Sequence, residues 1–226
     1  MTTFRLAPDA QGPVQGGATT CGPATLTVAR MLADPAFAAW IIAGEDADCW
    51  LSVTRGAIDR STPAGRFAAY EGVVHRRVTS TAGPGADGQV PWPRALGTPP
   101  WGARRELESL ALPTGTAYRS VLVRWLSVSR RARLLERLAA HVAPTRPGLI
   151  YVGSPLLPRH VALLIPGPDG LAVYDPGDGS VRSLDVSGVS AARTPIGGWR
   201  MPWWLIGPVG PVMAHDGPSH GDSLAC

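Results

Sequence analysis

The sequence predicts an α+β fold in which helices come first and antiparallel strands follow. Helical spacing of apolar residues begins at Cys21, whereas short apolar runs separated by Pro- and Gly-rich turns dominate after residue 148. Helices and strands that are segregated along a chain are typical of the α+β class rather than of βαβ repeats. At 226 residues the chain most economically forms one domain, expected over 1–212 and followed by a disordered tail at 213–226.

The first helix is predicted over about 21–32, where apolar residues recur at helical spacing. Pro35 follows the end of this pattern and can open a second helix that continues through Ile41. Two further short helices are expected at 63–71 and 102–110.

An amphipathic helix is predicted from Ser129 to Val142, with leucines on its inner face. The side chains expected to face water are Arg130, Arg131, Arg133, Glu136 and Arg137. Strands are then predicted at 149–152, 160–165, 171–175, 180–184 and 199–206, with a turn over 166–170.

Composition and charge exclude several classes of protein. The chain is 45% hydrophobic and 17% charged, and its net charge of +4 is spread rather than concentrated in a basic stripe, so no nucleic-acid partner is expected. No apolar run is long enough for a membrane span, and the N-terminus lacks the apolar core of a signal peptide. We therefore expect a cytoplasmic protein, although export without a cleaved leader stays open.

Cysteine usage points to a reducing compartment. The three cysteines, Cys21, Cys49 and Cys226, are too few and too far apart for a disulfide framework or a Cys-x-x-Cys site. Acidic neighbours make Cys49 a structural residue in our interpretation. His215 and His220 in the tail lack a third ligand, so neither a metal nor any other cofactor is expected.

All 21 basic residues are arginine, and the chain contains no lysine. A GC-rich genome explains this composition, because arginine codons are GC-rich. A functional explanation is the avoidance of lysine by a protein that would otherwise be modified on its own amines.

Cys21 is the candidate nucleophile, because it stands at the start of the first predicted helix. Unpaired N–H groups and the positive end of the helix dipole both favour a thiolate over a thiol there. Pro23 suits the first turn of a helix. A cysteine at this position also fits a core as a small apolar residue, so its role depends on a base and a carboxylate elsewhere.

The predicted hairpin at 160–175 supplies that base and carboxylate. Pairing across a turn centred near residues 167 and 168 sets His160 roughly opposite Asp175. A cysteine nucleophile needs an imidazole within reach, and the imidazole needs a third group that fixes its orientation. Cys21, His160 and Asp175 supply these three types of side chain in that order, whereas His75 and His141 have no matching partners.

Gln15 is the fourth candidate, six residues before Cys21. A side-chain amide just upstream of the nucleophile, together with the nucleophile's own backbone N–H, can donate two hydrogen bonds to the oxyanion of an acyl-transfer reaction. Gly16 and Gly17 allow the backbone to turn between the two residues, and Gly22 is predicted to leave room for a substrate beside the sulfur.

These residues resemble the motifs of the papain-like cysteine peptidases, and most of all those of the bacteriocin-processing group, which cleaves leader peptides after a double glycine. The matching strings are Gln15-x5-Cys21-Gly22-Pro23-Ala24, then 146–152, His160-Val161-Ala162-Leu163-Leu164 and Tyr174-Asp175-Pro176. The motifs cover residues 15–32 and 134–180. Thr20 stands where the leader peptidases usually have an aspartate.

The resemblance implies a papain-like fold in which a helical subdomain carries the cysteine and an antiparallel sheet carries the histidine and aspartate, with the cleft between them. It also implies that Cys21 is the nucleophile, His160 the general base and then acid, Asp175 the orienting residue and Gln15 an oxyanion donor. A peptide or protein substrate follows from the same resemblance. Residues 44–119 separate the cysteine from the other catalytic residues, and we expect them to cover or shape this cleft.

The sequence is compatible with three functions. A peptidase that works through a thioester at Cys21 is favoured. The same chemistry serves a transglutaminase- or deamidase-like effector, or an acyltransferase, in which an amine or a hydroxyl can replace water as the acceptor. A non-catalytic papain-like binding module is the third, although such a module would be expected to lose at least one of the four residues. The sequence gives no indication of an oligomeric state.

Overall fold

A computed structural model of the chain describes residues 4–45, 60–80, 89–111 and 115–209. Its first half contains four helices in the described residues: α1 (Cys21–Ala33), α2 (Pro35–Ala43), α3 (Pro63–Thr79) and α4 (Pro100–Ala111). A 3₁₀ turn at Arg94–Leu96 precedes α4. The sequence predicted all four helices, but α3 extends eight residues past its predicted end at 71.

Local capping explains where α2 and α3 begin. The Asp34 side chain accepts a hydrogen bond from the Phe37 N–H, and Thr62 accepts one from the Gly65 N–H. A proline follows each cap residue and suits the first helical turn, where its missing N–H is not needed. At its end, α2 stops at Gly44, whose φ of 78° lies in the left-handed region.

The second half forms one six-stranded sheet in which every neighbouring pair of strands is antiparallel. In chain order the elements are β1 (Ala117–Leu122), α5 (Val128–Ala139), β2 (Gly148–Gly153), β3 (Pro158–Gly167), β4 (Gly170–Tyr174), β5 (Val181–Ser183), α6 (Val186–Ser190) and β6 (Met201–Val209). The spatial order is β1-β6-β2-β3-β4-β5. The α+β class predicted from the sequence is therefore confirmed.

The sheet is covered on both faces, which makes the described molecule three layers thick. One apolar cluster joins α1–α4 to one face through residues such as Leu149, Leu163 and Tyr174. A second cluster joins α5 and α6 to the other face through residues such as Ile150 and Leu164. Double burial explains why β2 and β3 read as continuous apolar runs rather than as alternating patterns.

The α1 helix lies at the centre of the helical layer and is buried over nearly its whole length. The Thr25 hydroxyl donates a hydrogen bond to the Val161 carbonyl of β3, 3.2 Å away. This bond ties the first turns of α1 to the strand segment beside His160. The two halves of the predicted site are thus held together by main-chain and core contacts.

The prediction for the outer face of α5 was wrong at Arg131, which is buried. Its guanidinium donates to the carbonyls of Val123, Arg124 and Ser190, so it joins α5 to the loop after β1 and to α6. A guanidinium can be buried in this way because several backbone carbonyls compensate for its lost hydration. Arg130 and Arg133 are exposed, as predicted.

In the described ranges, no single helix is long and apolar enough to cross a membrane. Taken together, α1 and α2 have the length and composition of a membrane span, but the pair is bent by 116°. The predicted disordered tail at 213–226 lies outside the described residues, as do Cys49 and Cys226. Both α3 and α4 pack against α1, and the idea that residues 44–119 cover a cleft stays a prediction.

Candidate active site

A buried histidine–aspartate pair lies at the end of the β3–β4 hairpin. The His160 Nε2 and Asp175 Oδ1 atoms are 2.8 Å apart, and the two residues are 8% and 4% exposed. The structure therefore brings these two predicted residues together. The predicted register was nevertheless wrong: Leu163 pairs with Tyr174 and Gly167 with Gly170, so the turn is at 168–169. His160 and Asp175 consequently meet diagonally rather than directly across the hairpin.

Asp175 is held in place from several sides. Its Oδ1 also accepts a hydrogen bond from the Gly177 N–H at 2.9 Å, and its backbone bonds to Ser180 and Gly179. Burial acts to raise the pKa of Asp175, but the hydrogen bond and charge of His160, with the Gly177 N–H, hold that pKa below its usual range. Asp175 is therefore a fixed carboxylate that can orient an imidazole.

His160 links Asp175 to Cys21. Burial lowers the pKa of His160, but hydrogen bonds to Asp175 and Cys21 and the negative charges of both outweigh it and raise the pKa to about 9. Because Nε2 faces Asp175, Nδ1 is the ring nitrogen left for the Cys21 sulfur. The imidazole is therefore placed to form an imidazolium beside a thiolate.

Cys21 is the first residue of α1 and is 7% exposed. The Thr20 hydroxyl does not cap the helix; it donates to the Gly17 carbonyl and accepts from the Gly17 N–H. The positive end of α1 is therefore directed at the sulfur, without a side-chain cap from Thr20. A negative charge on Cys21 also contributes, after burial, to raising the pKa of the nearby Tyr151 phenol.

Gln15 reaches the same site through the N-terminal lead-in. Backbone hydrogen bonds join Asp9 to Val181, Gly12 to Gly179 and Gln15 to Pro176, so the lead-in runs beside the segment that follows Asp175. The Gln15 Nε2 donates to the Gly17 carbonyl at 2.9 Å, and its second hydrogen stays available to another acceptor. Its Oε1 is buried and has no hydrogen-bond partner within the described ranges.

An open cleft of about 420 Å³ borders Gln15, His160 and Asp175, whereas Cys21 is not part of its lining. It is lined by Gln15, His160, Asp175, Gly177, Asp178, Arg182, Pro195, Gly197 and Gly198. Asp178 and Arg182 form an exposed ion pair at 3.2 Å on this surface. Glycines line much of the wall, so a substrate backbone can approach the imidazole closely.

One of these glycines is required by the histidine. Gly197 has a φ of 56°, and a Cβ there would lie 2.5 Å from Cδ2 and 2.6 Å from Nε2 of His160. The Ile196–Trp199 turn that carries Gly197 therefore packs directly against the imidazole. No motif in the sequence indicated this contact, because Gly197-Gly198 reads only as a turn.

The expected space beside Gly22 is filled. A Cβ on Gly22 would lie 2.3 Å from Oγ1 of Thr98, a buried residue in the loop before α4. The role predicted for Gly22 was therefore wrong, because this glycine makes room for Thr98 rather than for a substrate. Thr98 lies in the poorly patterned middle of the chain, where the sequence carried no signal for it.

Glu71 is another residue that the sequence analysis missed. It lies on α3, is 2% exposed, and accepts hydrogen bonds from the Gly16 N–H next to Gln15. A signal was present in the sequence: Phe67, Glu71, Val74 and Val78 follow helical spacing, so a carboxylate occupies the middle of an apolar stripe. Such a residue is retained only where it has polar partners.

Among the described residues, no group of three or more histidine, cysteine, aspartate or glutamate side chains is arranged to bind a metal ion. His215 and His220 lie outside those residues. The described donors of the site are one thiol, one imidazole, one carboxylate and one amide, which suits nucleophilic catalysis.

Comparisons with known proteins add little to this geometry. No protein-family model and no curated protein matches the sequence. A similar solved structure is the crystal structure of the Pseudomonas avirulence protein AvrPphB, with a TM-score of 0.42, 9% sequence identity, and coverage of 84% of this chain and 90% of that chain. At this TM-score the likeness carries no weight for fold or activity.

Proposed function

We propose that the protein is a cysteine-dependent acyl-transfer enzyme, and specifically a peptidase that forms a thioester at Cys21. One observation carries the proposal: His160 bonds to Asp175 at 2.8 Å, and the negative charge of Cys21 also acts on this imidazole and helps to raise its pKa. Cys21 at the start of α1 and Asp175 directly after β4 thus lie on either side of the imidazole that β3 carries. A nucleophile, a base and an orienting carboxylate in this relation are the components of a catalytic triad.

In the proposed reaction, the Cys21 sulfur attacks the carbonyl carbon of a peptide bond while His160 holds the thiol proton. The oxyanion accepts hydrogen bonds from the Cys21 backbone N–H and from the Gln15 amide. His160 then gives its proton to the leaving amine, and the C–N bond breaks to leave a thioester. Water attacks the thioester as His160 takes a proton, and the C–S bond breaks to release the acid and restore the thiol.

The arrangement of the elements supports the more specific proposal of a papain-like enzyme. A buried helix carries the cysteine and an antiparallel sheet carries the histidine and aspartate, as the sequence resemblance implies. Helices α5 and α6 cover the far face of that sheet. Assignment to the bacteriocin-processing group rests on the sequence motifs, and a peptide or protein substrate is proposed with it.

The triad is tested by acylation of Cys21 with p-nitrophenyl acetate, followed by mass spectrometry of the Cys21 peptide so that Cys49 and Cys226 do not interfere. His160→Ala should slow acylation by about a hundredfold or more, because the sulfur loses the imidazole that takes its proton and supports the thiolate. Glu136→Ala, on the exposed face of α5, is the matched control and should leave the rate unchanged. Equal rates in His160→Ala and in the unchanged protein would refute the triad and favour a non-catalytic binding module.

A transferase is the second candidate, and the absence of lysine favours it. An enzyme that transfers its acyl group to amines would not acylate itself if its own side chains carried no amine. Incubation with a cell extract and a labelled primary amine separates the outcomes by mass spectrometry. New chain termini identify a peptidase, conversion of glutamine to glutamate identifies a deamidase, and incorporation of the labelled amine identifies a transferase.

A further inference from the structure

Glu71 is buried beside the loop that carries the proposed oxyanion donors. Its Oε1 and Oε2 atoms lie 3.3 Å and 3.1 Å from the Gly16 nitrogen, which donates to both. The Thr20 side chain lies close enough to this carboxylate to help lower its pKa. Glu71 therefore binds the residue directly after Gln15 and lies near the residue directly before Cys21.

The loop between these two contacts is closed by hydrogen bonds of its own. The Gln15 amide donates to the Gly17 carbonyl, and the Gly17 N–H donates to the Thr20 hydroxyl at 3.0 Å. Glu71 holds this closed loop against α3 from the side of the helical layer. A shift of the loop would move the Gln15 amide relative to the Cys21 backbone N–H, because both donors lie at its ends.

Burial of the Glu71 carboxylate is energetically unfavourable. Burial is the largest influence on Glu71 and raises its pKa to about 7, against the effects of the Gly16 hydrogen bond and of Thr20. Burial, and then the negative charge of Glu71, raise the pKa of the nearby Tyr174 phenol on β4. If only packing mattered, the protein would be more stable with an apolar residue at this position.

Gly16 is fitted to the same contact. A Cβ at this position would lie 2.9 Å from Oε2 of Glu71, so any larger residue must push the carboxylate or the loop aside. The glycine therefore provides the close approach that lets a backbone N–H reach both carboxylate oxygens.

We propose that Glu71 is a positioning residue of the oxyanion hole, which holds the loop 15–20 so that the Gln15 amide and the Cys21 N–H point at the same oxygen. This inference rests on the proposed acyl-transfer function. In this proposal Glu71 acts through its hydrogen bonds with Gly16 rather than on the reacting atoms.

The test compares two reactions of the Cys21 thiolate in the full chain. Iodoacetamide alkylates sulfur by displacing iodide and forms no oxyanion, whereas p-nitrophenyl acetate acylates sulfur through a tetrahedral oxyanion and expels p-nitrophenolate. Both products are measured on the Cys21 peptide by mass spectrometry. The ratio of the acylation rate to the alkylation rate therefore reports the oxyanion hole separately from thiol reactivity.

In Glu71→Met we expect this ratio to fall about tenfold or more, since a misplaced donor loses much of its effect. Glu71→Gln keeps one acceptor for the Gly16 N–H and should recover most of the ratio. Glu106→Gln is the matched control, because Glu106 is a buried carboxylate of α4 that pairs with Arg77 instead of with the loop. Its ratio should equal that of the unchanged protein.

Gly16→Ala keeps the test valid if Glu71→Met does not fold, because it disturbs the same contact from the loop side. It should lower the ratio in the same way. An unchanged ratio in a folded Glu71→Met or Gly16→Ala protein would overturn the role of Glu71. Failure of the unchanged protein to be acylated faster than a free thiol would instead overturn the proposed function itself.

Discussion

At the scale of single residues, the protonation of His160 controls the proposed chemistry. Its pKa is raised from 6.5 to about 9, so the imidazolium form persists through neutral pH. A raised pKa means that the folded state binds the proton more tightly than the unfolded state. The resulting stabilisation is fully present below pH 6.5 and is lost as the pH rises through about 9.

We expect the His160 imidazolium to lose its proton at about pH 9, and with it the ability to protonate the leaving amine of a peptide substrate. Asp175→Asn removes a negative charge that raises the pKa of His160 and leaves a neutral acceptor for Nε2, so this titration should move to lower pH. NMR titration of the His160 ring across the alkaline range in both proteins checks the shift. Titration at the same pH in both would show that Asp175 does not govern the imidazole.

Gly197 offers a second test at this scale. In Gly197→Ala the new methyl group must displace the His160 ring, from which it would be only 2.5 Å away. Alkylation of Cys21 by iodoacetamide should slow by about tenfold, because the imidazole no longer supports the thiolate.

Gly198→Ala is the matched control for Gly197→Ala. Gly198 also has a positive φ, at 80°, but a Cβ there meets open space. Both variants incur the backbone strain of a non-glycine residue, whereas only the first contacts the ring. Equal alkylation rates in the two variants would contradict a role for this contact in placing His160.

At the scale of elements, Arg131 attaches α5 to the loop after β1 and to α6. Arg130 and Arg133 on the same helix face water, as the amphipathic pattern predicted. Arg131 differs because the loop after β1 and the last residue of α6 present carbonyls to that turn of the helix. Helical periodicity does not reveal such carbonyls, because they come from distant parts of the chain.

We expect Arg131→Ala to lower the free energy of unfolding by about 3 kcal/mol, because two buried carbonyls and one partly buried carbonyl lose a charged donor. Arg133→Ala, on the exposed face of the same helix, should change it by no more than about 0.5 kcal/mol. Urea denaturation of both variants measures the difference. A loss in Arg131→Ala as small as that in Arg133→Ala would show that the buried hydrogen bonds contribute little.

At the scale of the whole molecule, Glu71 makes stability depend on pH. Its pKa is raised from 4.5 to about 7, so its contribution to stability is fully present below pH 4.5 and is lost as the pH rises through about 7. Tyr174, which faces it from the sheet, has its pKa raised beyond this range and does not titrate there. Carboxylates with lowered pKa values, such as Asp175, act at lower pH.

Between pH 4.5 and about pH 8 the unchanged protein should lose about 3 kcal/mol of stability through Glu71. Glu71→Gln has no such proton to lose, so its free energy of unfolding should fall less over the same range. The difference between the two urea denaturation curves isolates Glu71, since the other groups titrate in both proteins. If the free energies of unfolding of the two proteins changed with pH by the same amount, Glu71 would ionise as an exposed carboxyl does.

The sequence by itself determined most of the helices and strands and the residue types that the candidate site contains. Periodicity, prolines after cap residues and glycine-rich turns are local signals, and they placed α1, α5 and the β3–β4 hairpin within a few residues of their positions. The order of Cys21, His160 and Asp175 could be recognised in the same way, because the chemistry requires those side chains wherever they lie. The strand β1 was missed, since it is identified mainly by its pairing with β6.

Only the tertiary structure decided how these parts meet. Whether His160 opposes Asp175 directly or diagonally depends on a turn shifted by one residue, and both turns are compatible with the same prolines and glycines. Glu71 reaches Gly16 across 55 residues, Gly197 packs on the His160 ring, and carbonyls from two other elements bury Arg131. These contacts follow from the packing of three layers, and packing between residues distant in sequence leaves no periodic signal along the chain.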